Sequence, residues 1–201
     1  MNKKFFNLLL YIEKRQGILF NLIMFLNELY IKFYLSFSKP KIALCDYCSF
    51  FSANGLEFAI RALDMNDLNK LRDFFKSSID INSPDFFMPH KTDSKTLVSL
   101  FRRISHILLG VFHKDVFIGY ALIRLLFPNK ASYALFISDE WQGKGIGTAA
   151  LEKELDLIRE MGFRAITAVY KKNLKSLSML KKLNIEFSND LGEYFEIRDT
   201  H

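Results

Sequence analysis

Cysteine, proline and glycine are scarce in these 201 residues, at two, four and nine copies. Cys45 and Cys48 form a lone C-x-x-C with no second pair and no His at ligand spacing. A zinc site needs four ligands and a redox motif needs a thioredoxin-like strand and helix, so neither is expected and no metal is. Free thiols in a reducing cytoplasm fit instead. No G-x-x-x-x-G-K-[ST] occurs, which removes a P-loop. A compact run of Lys or Arg is also missing. The formal charge of +6 is spread along the chain, so no nucleic-acid arm is expected, although a basic surface suits a polyanionic ligand.

Long uninterrupted apolar runs are lacking too. Phe5 to Ile12 follows the basic Met1–Lys4 but stops at Glu13-Lys14-Arg15, with no small-residue cleavage site beyond, which argues against a secretory signal. Ile18 to Phe37 has the length of a span but carries Asn21, Asn27, Glu28 and Lys32. Each charge near the middle of a spanning helix costs about 2.5–3.5 kcal/mol. Read as a helix, Asn21, Glu28, Lys32 and Ser36 make one polar stripe, with Glu28 and Lys32 placed for an i,i+4 pair. The remaining faces are apolar and need cover. The rest of the protein, a second subunit as homodimer, or the surface of a membrane could supply it, which makes the protein cytoplasmic or peripheral to a membrane.

Half the residues are hydrophobic and a quarter charged, a globular composition, and the 21 Phe residues fall mostly inside apolar runs as core filling. The length suits one domain plus an appendage. Residues 1–55 read as a helical appendage and a linker, Pro40 to Gly55, that ends in Ser52-Ala53-Asn54-Gly55; residues 56–201 read as the domain. Leu56–Arg61 alternates like a strand. Asp64 or Asn66 can cap a helix bearing Leu68, Leu71, Phe74 and Phe75, Asn82-Ser83-Pro84 interrupts, and Thr96–Ile104 resumes helical spacing. Ile107–Phe112, the turn at His113-Lys114-Asp115 and Val116–Leu125 read as a hairpin, followed by a strand at Ser132–Ser138. A helix over Ile146–Met161 stopped by Gly162, a strand at Ala165–Val169, a helix over Leu174–Leu183 and two strands within Ile185–Ile197 complete the order. The fold class expected is α/β in the mixed α+β sense, with a mostly antiparallel sheet, helices on both faces and an N-terminal helical appendage.

The chemistry concentrates in Asp139-Glu140-Trp141-Gln142-Gly143-Lys144-Gly145-Ile146-Gly147-Thr148, between a strand and an amphipathic helix. Alternate glycines let backbone approach a ligand closely, and a helix start adds free amides and a positive dipole end, so the loop suits a pyrophosphate. Gly145 to Ala150 also matches the dinucleotide G-x-G-x-x-A fingerprint. That fingerprint should follow the first strand of a βαβ unit and precede an acid at the end of the next strand, where Tyr170-Lys171 stands instead.

Gln142-x-x-Gly145-x-Gly147 resembles the Q/R-x-x-G-x-G/A acyl-CoA motif of the GNAT superfamily of N-acetyltransferases. Asn173-x-x-Ser176 followed by Lys182-Leu183-Asn184-Ile185 looks like that family's N-x-x-S…K-L-G-F segment. Asn184 and Ile185 replace the usual Gly and Phe, the first mildly, because Asn tolerates the left-handed conformation of a helix stop. Together with a first strand ending in Ile60-Arg61-Ala62, the likeness covers about 140 residues.

The resemblance implies direct transfer of an acetyl group from acetyl-CoA to a primary amine of a small metabolite, an amino sugar or a protein. Main-chain groups of Leu135 and Ile137 would pair with the pantetheine arm. The amides of Gln142, Gly143, Lys144, Gly145, Ile146, Gly147 and Thr148 would hold the pyrophosphate, and Asn173 and Ser176 would contact the coenzyme. Two departures matter. Leu180 stands where many relatives keep a Tyr to protonate the leaving thiolate, and Ser132 where many keep a Glu base. A domain that holds acyl-CoA without turnover is therefore the rival reading. An amine near pH 7 still needs a base, for which His90, His113, Asp85, Asp139 and Glu140 are candidates. His90 stands first because Phe86-Phe87-Met88-Pro89-His90 lies where the family's variable substrate-side segments fall.

Overall fold

The computed structural model describes residues 18–38, 46–77 and 90–198. Phe5–Ile12, Glu13-Lys14-Arg15, Cys45, Asn82-Ser83-Pro84, Asp85 and Phe86–Pro89 lie outside them. One sheet of eight strands organises the chain, in the order β1-β2-β3-β4-β5-β6-β8-β7. The strands are β1 (Cys48–Ala53), β2 (Leu56–Ala62), β3 (His106–His113), β4 (Val116–Leu126), β5 (Lys130–Ile137), β6 (Arg164–Tyr170), β7 (Phe187–Asp190) and β8 (Tyr194–Arg198). Every neighbouring pair is antiparallel except β5 and β6. Among the described residues are five α-helices: α1 (Ile18–Ser38), α2 (Leu68–Ser77), α3 (Ser94–Phe101), α4 (Ile146–Glu160) and α5 (Leu174–Lys182). This is the mixed sheet expected.

The helices divide between the two faces as the strand alternation dictates. On one face, Leu71, Phe74 and Phe75 of α2 and Leu97 and Leu100 of α3 bury Leu108, Tyr120 and Leu122. On the other, Ile146, Ala150, Leu151, Leu155 and Ile158 of α4 join Ile31 of α1 over Leu109, Val111, Ala121 and Ile123. Asp64 takes the capping role foreseen for it, accepting from Asn66 N–H at the short 3-10 turn that leads into α2. Gly162 is left-handed at the end of α4, and Asn184 adopts φ 54° after α5, the conformation that lets Asn stand in for Gly there.

Two sequence expectations need correction, and one buried group was not foreseen. Cys48–Ala53, taken as linker, is an edge strand paired along its whole length with β2, so residue 55 lies in a hairpin turn. Asn54 and Gly55 both have positive φ, the two-residue hairpin turn that Asn-Gly favours, and Phe51 enters the core. Glu28 does not pair with Lys32. Its carboxylate instead accepts from Ser105 N–H at 3.2 Å and from Ser105 Oγ, while Asn27 bonds Leu125 O and Phe127 N–H, both at 2.9 Å. Glu28, from the polar stripe, and Asn27 beside it therefore fasten α1 to β4 and the start of β3. Finally, Glu154 on α4 is fully buried with no hydrogen-bond partner for either carboxylate oxygen.

Burial alone holds the Glu154 carboxyl well above the usual carboxylate range, since a charge there has neither water nor a partner. A carboxyl whose folded pKa is raised stabilises the fold fully below its unfolded value, and that contribution is lost as pH rises through the folded pKa. Equilibrium urea unfolding should show native stability falling above about pH 4.5 relative to Glu154→Leu, which has no charge to bury. Parallel profiles for the two proteins would mean that the carboxylate is solvated or paired.

Candidate coenzyme and acyl-transfer site

The one parallel pair in the sheet makes an opening. β5 and β6 pair only over Lys130–Ser132 and Arg164–Ile166, and then part. Ser138 N–H donates to Ile118 O of β4, so by strand alternation the main-chain groups of Tyr133, Leu135 and Ile137 point the other way, into the opening. Two bonds agree with that direction: Thr167 Oγ1 donates to Tyr133 O at 3.1 Å, and Gln142 Nε2 to Ile137 O at 2.9 Å. Between them, the main chain of Leu135 faces the gap with no sheet partner beside it.

The glycine loop closes the wide end. Gln142 acts as a bracket, donating to Ile137 O and to Asp139 Oδ1 and accepting from Lys175 Nζ of α5 at 2.8 Å. That ties the end of β5, the loop and the start of α5 together. Gly143 and Gly145 have φ of +74° and +80°, and a Cβ added to either would meet nothing within 4 Å, so these backbones face open space. Gly147 is helical, close enough to Met179 Sδ (3.5 Å) and Ile137 Cγ1 (3.6 Å) for a Cβ there to fill the space between the helices and the strand. The first α-helical bond of α4 runs from Ala149 N–H to Gly145 O. The amides of Ile146, Gly147 and Thr148 therefore precede the helical ladder, and the helix start has neither a side-chain cap nor an acid in its first turn. Lys144 lies over the Trp141 ring at 4.9 Å and donates to Glu140 O.

The sequence-named residues are thus brought to one end of the sheet, with two adjustments. Gln142 N–H is engaged by Asp139 O at 3.2 Å, so the amides left for a ligand begin at Gly143. Asn173 caps α5 by accepting from Ser176 N–H at 3.0 Å, which commits its carbonyl oxygen to the fold. Leu180 is buried in the core, and Ser132 sits where β5 and β6 are still paired.

On the opposite face of the sheet, His90 lies over β4. Its Nδ1–H donates to Lys91 O at 2.9 Å, since a carbonyl can only accept, which leaves Nε2 to accept from the Tyr120 hydroxyl at 3.0 Å. Tyr120 is fully buried, pairs in register with Phe136 of β5 and stacks on its ring. His90 is therefore one residue pair away from the stretch of β5 that opens on the gap. Burial, and secondly the charge of Arg124, lowers its pKa below the ordinary value of 6.5. The same two causes, with Arg103, bring His106 down to about 3. Tyr120, His106 and Arg124 were not singled out in the sequence. The strand alternation that puts Tyr120, Leu122 and Arg124 on one face, with His106 opposite Arg124, was the available signal.

The other base candidates stand elsewhere. His113 is half-buried, its Nδ1–H donating to Glu57 O at 3.0 Å and its ring between Phe58 and Trp141. Asp139 is held by Gln142, and Glu140 is exposed. Among the described residues no three His, Cys, Asp or Glu side chains are grouped to hold a metal ion.

Residues 75–185 match the model of the acetyltransferase (GNAT) family, more than half of the chain, and the chain belongs to that family. No curated protein matches it in sequence. Solved structures with the same fold include the GNAT domain of Streptomyces lividans PAT, 18% identical, with a TM-score of 0.67 over 76% of this chain and 96% of that one. The PaiA N-acetyltransferase of Thermoplasma acidophilum in complex with coenzyme A is 21% identical, with a TM-score of 0.61 over 72% and 99%. The spermidine N-acetyltransferase of Vibrio cholerae with CoA and spermine is 17% identical, with a TM-score of 0.57 over 70% and 92%.

Proposed function

We propose that this acetyltransferase is an N-acetyltransferase, carrying the acetyl group of acetyl-CoA directly to a primary amine. The observation that carries the reading is the opening between β5 and β6, bounded at its wide end by an uncapped helix start with two left-handed glycines. The residues present fit a long, polyanionic thioester. The amides from Gly143 to Thr148 belong to the loop and the uncapped helix start, which suit a pyrophosphate, and the Cβ-free faces of Gly143 and Gly145 leave room for one. Lys144 and Lys175 add positive charge beside them. Leu135 and Ile137 offer main-chain donors and an acceptor along the gap, as a missing strand would, which suits the two amides of a pantetheine arm. Bound there, the coenzyme supplies a thioester carbonyl, and a strand amide polarises it without reorganising.

Transfer forms the C–N bond of the new amide and breaks the thioester C–S bond. The amine must surrender one proton, and the departing thiolate takes one from water, because Leu180 has none to give. His90 accepts the amine's proton at Nε2 in place of the Tyr120 hydrogen bond. Lys91 O, holding Nδ1–H, fixes the tautomer that makes Nε2 the accepting atom. The lowered pKa keeps that nitrogen unprotonated at neutral pH.

Thiol release from acetyl-CoA should depend on an added amine, tested with a polyamine, an amino sugar and a peptide with a free lysine. Gly145→Asp puts a side chain and a negative charge into the cradle and forces an Asp to φ +80°. Calorimetry should show acetyl-CoA affinity at least tenfold weaker in the folded variant. Unchanged affinity would place the coenzyme elsewhere.

His90→Ala should lower turnover by about 10²–10⁴-fold with coenzyme affinity intact. Because burial holds the His90 pKa below 6.5, the rising limb of the pH profile should have its midpoint below pH 6.5, since activity grows as the imidazole loses its proton. A loss under about threefold, with a limb that follows the pKa of the substrate amine, would take His90 out of the mechanism.

A further inference from the structure

The face of α1 that looks away from the sheet is as apolar as the face that packs. Leu22, Phe25, Leu26, Leu29, Phe33 and Phe37 are all exposed, with Phe33 and Phe37 at 65% and 72%. At 100° per residue these six positions fall within an arc of about 120°, a single stripe running the length of the helix. Ile31, on the opposite side, is fully buried, and Tyr34 packs edge-on against Phe163. Phe127 meets Tyr30 edge-on at 4.8 Å and stays 63% exposed, which widens the patch. No helix among the described residues is long and apolar enough to cross a membrane.

The charges that flank α1 in the sequence point to the occupant of the stripe. Lys3, Lys4, Lys14 and Arg15 precede α1 in the sequence, Lys39 and Lys41 follow it, and Lys32 is exposed on it. Against these stand Glu13 and Glu28. Glu28 is turned inward, its carboxylate taken by Ser105, so α1 presents no acid to the outside. A second copy laid along the stripe, parallel or antiparallel, would bring basic flanks against basic flanks. An anionic surface meets them with opposite charge while the stripe enters the acyl region, the combination that holds an amphipathic helix in a membrane interface. We infer that the outer face of α1 docks this acetyltransferase on an anionic lipid bilayer, lying in its surface, with the coenzyme opening outside the lipid. The inference goes beyond acetyl transfer and does not depend on it.

Co-sedimentation of the full chain with vesicles of phosphatidylcholine and about one third phosphatidylglycerol tests this. Binding should be strong, weaker at least tenfold on pure phosphatidylcholine, and reduced by salt, because the attraction to charged lipid is screened. Phe25→Glu with Phe33→Glu should lower binding at least tenfold while acetyl-CoA affinity is kept. The milder Phe33→Ser serves if that pair does not fold, and a Phe33→Trp fluorophore should shift to the blue on anionic vesicles only. No binding to either vesicle overturns the proposal. So does a dimer in light scattering that Phe33→Glu splits, since the stripe would then be covered by a second copy.

Discussion

The opening in the sheet depends on a hydrogen-bond ladder that stops early. β5 and β6 share three residue pairs and then diverge, so on that side the main chain of Leu135 faces a gap, while on the other side β5 stays paired with β4. Backbone donors and acceptors at a sheet interior are expensive to leave unpaired, so such a gap persists when something holds it open and something else completes it. Gln142 does the holding. By bonding Ile137 O, Asp139 and Lys175 it fixes the strand end, the loop and α5 in one arrangement. The same residue opens the acyl-CoA motif in the sequence. Its side chain is spent on architecture, which leaves the glycine amides and the helix start that follow as the proposed contacts of the coenzyme.

The proposed catalytic side is less conventional for the family. A buried Leu180 and a Ser132 locked in the paired part of β5 leave the opening without the acid and base many relatives keep there. The ionisable groups lie instead on the other face, where His90, Tyr120, His106 and Arg124 gather over β3 and β4. Burial and Arg124 keep both histidines neutral, which suits proton acceptance and excludes them as resting cations. The register of Tyr120 with Phe136 is what links that face to the opening, since Leu135 and Ile137 flank Phe136 on the same strand.

Much of this was legible in the sequence because each piece had a local cause. The alternate glycines ahead of an amphipathic helix, the hairpin around His113–Val116, and Asn184 as a helix stop all follow from backbone preferences within a few residues. What escaped was decided by distant partners. β1 shows one buried residue, Phe51, and its Asn-Gly turn reads equally as the end of a linker until β2 is seen beside it. Glu28 looked like half of a surface pair because Ser105, 77 residues away, is invisible to helical periodicity. Glu154 sits at a position that is half of an ordinary charged helix by composition, and only packing reveals that it has no partner. In α1 the polar stripe was real, but the helix has two apolar faces and the sequence alone could not say which one the sheet would take.

In the proposed complex acetyl-CoA lies across the gap between β5 and β6 with its pyrophosphate on the start of α4. Amide NMR of the full chain titrated with coenzyme A tests it most directly. The largest shifts should fall at Gly143, Gly145, Ile146, Gly147 and Thr148, with Leu135 and Ile137 following and their amides gaining protection from hydrogen exchange. Saturable binding that leaves those seven amides unmoved would contradict it, because the ligand would then be held by some other part of the surface.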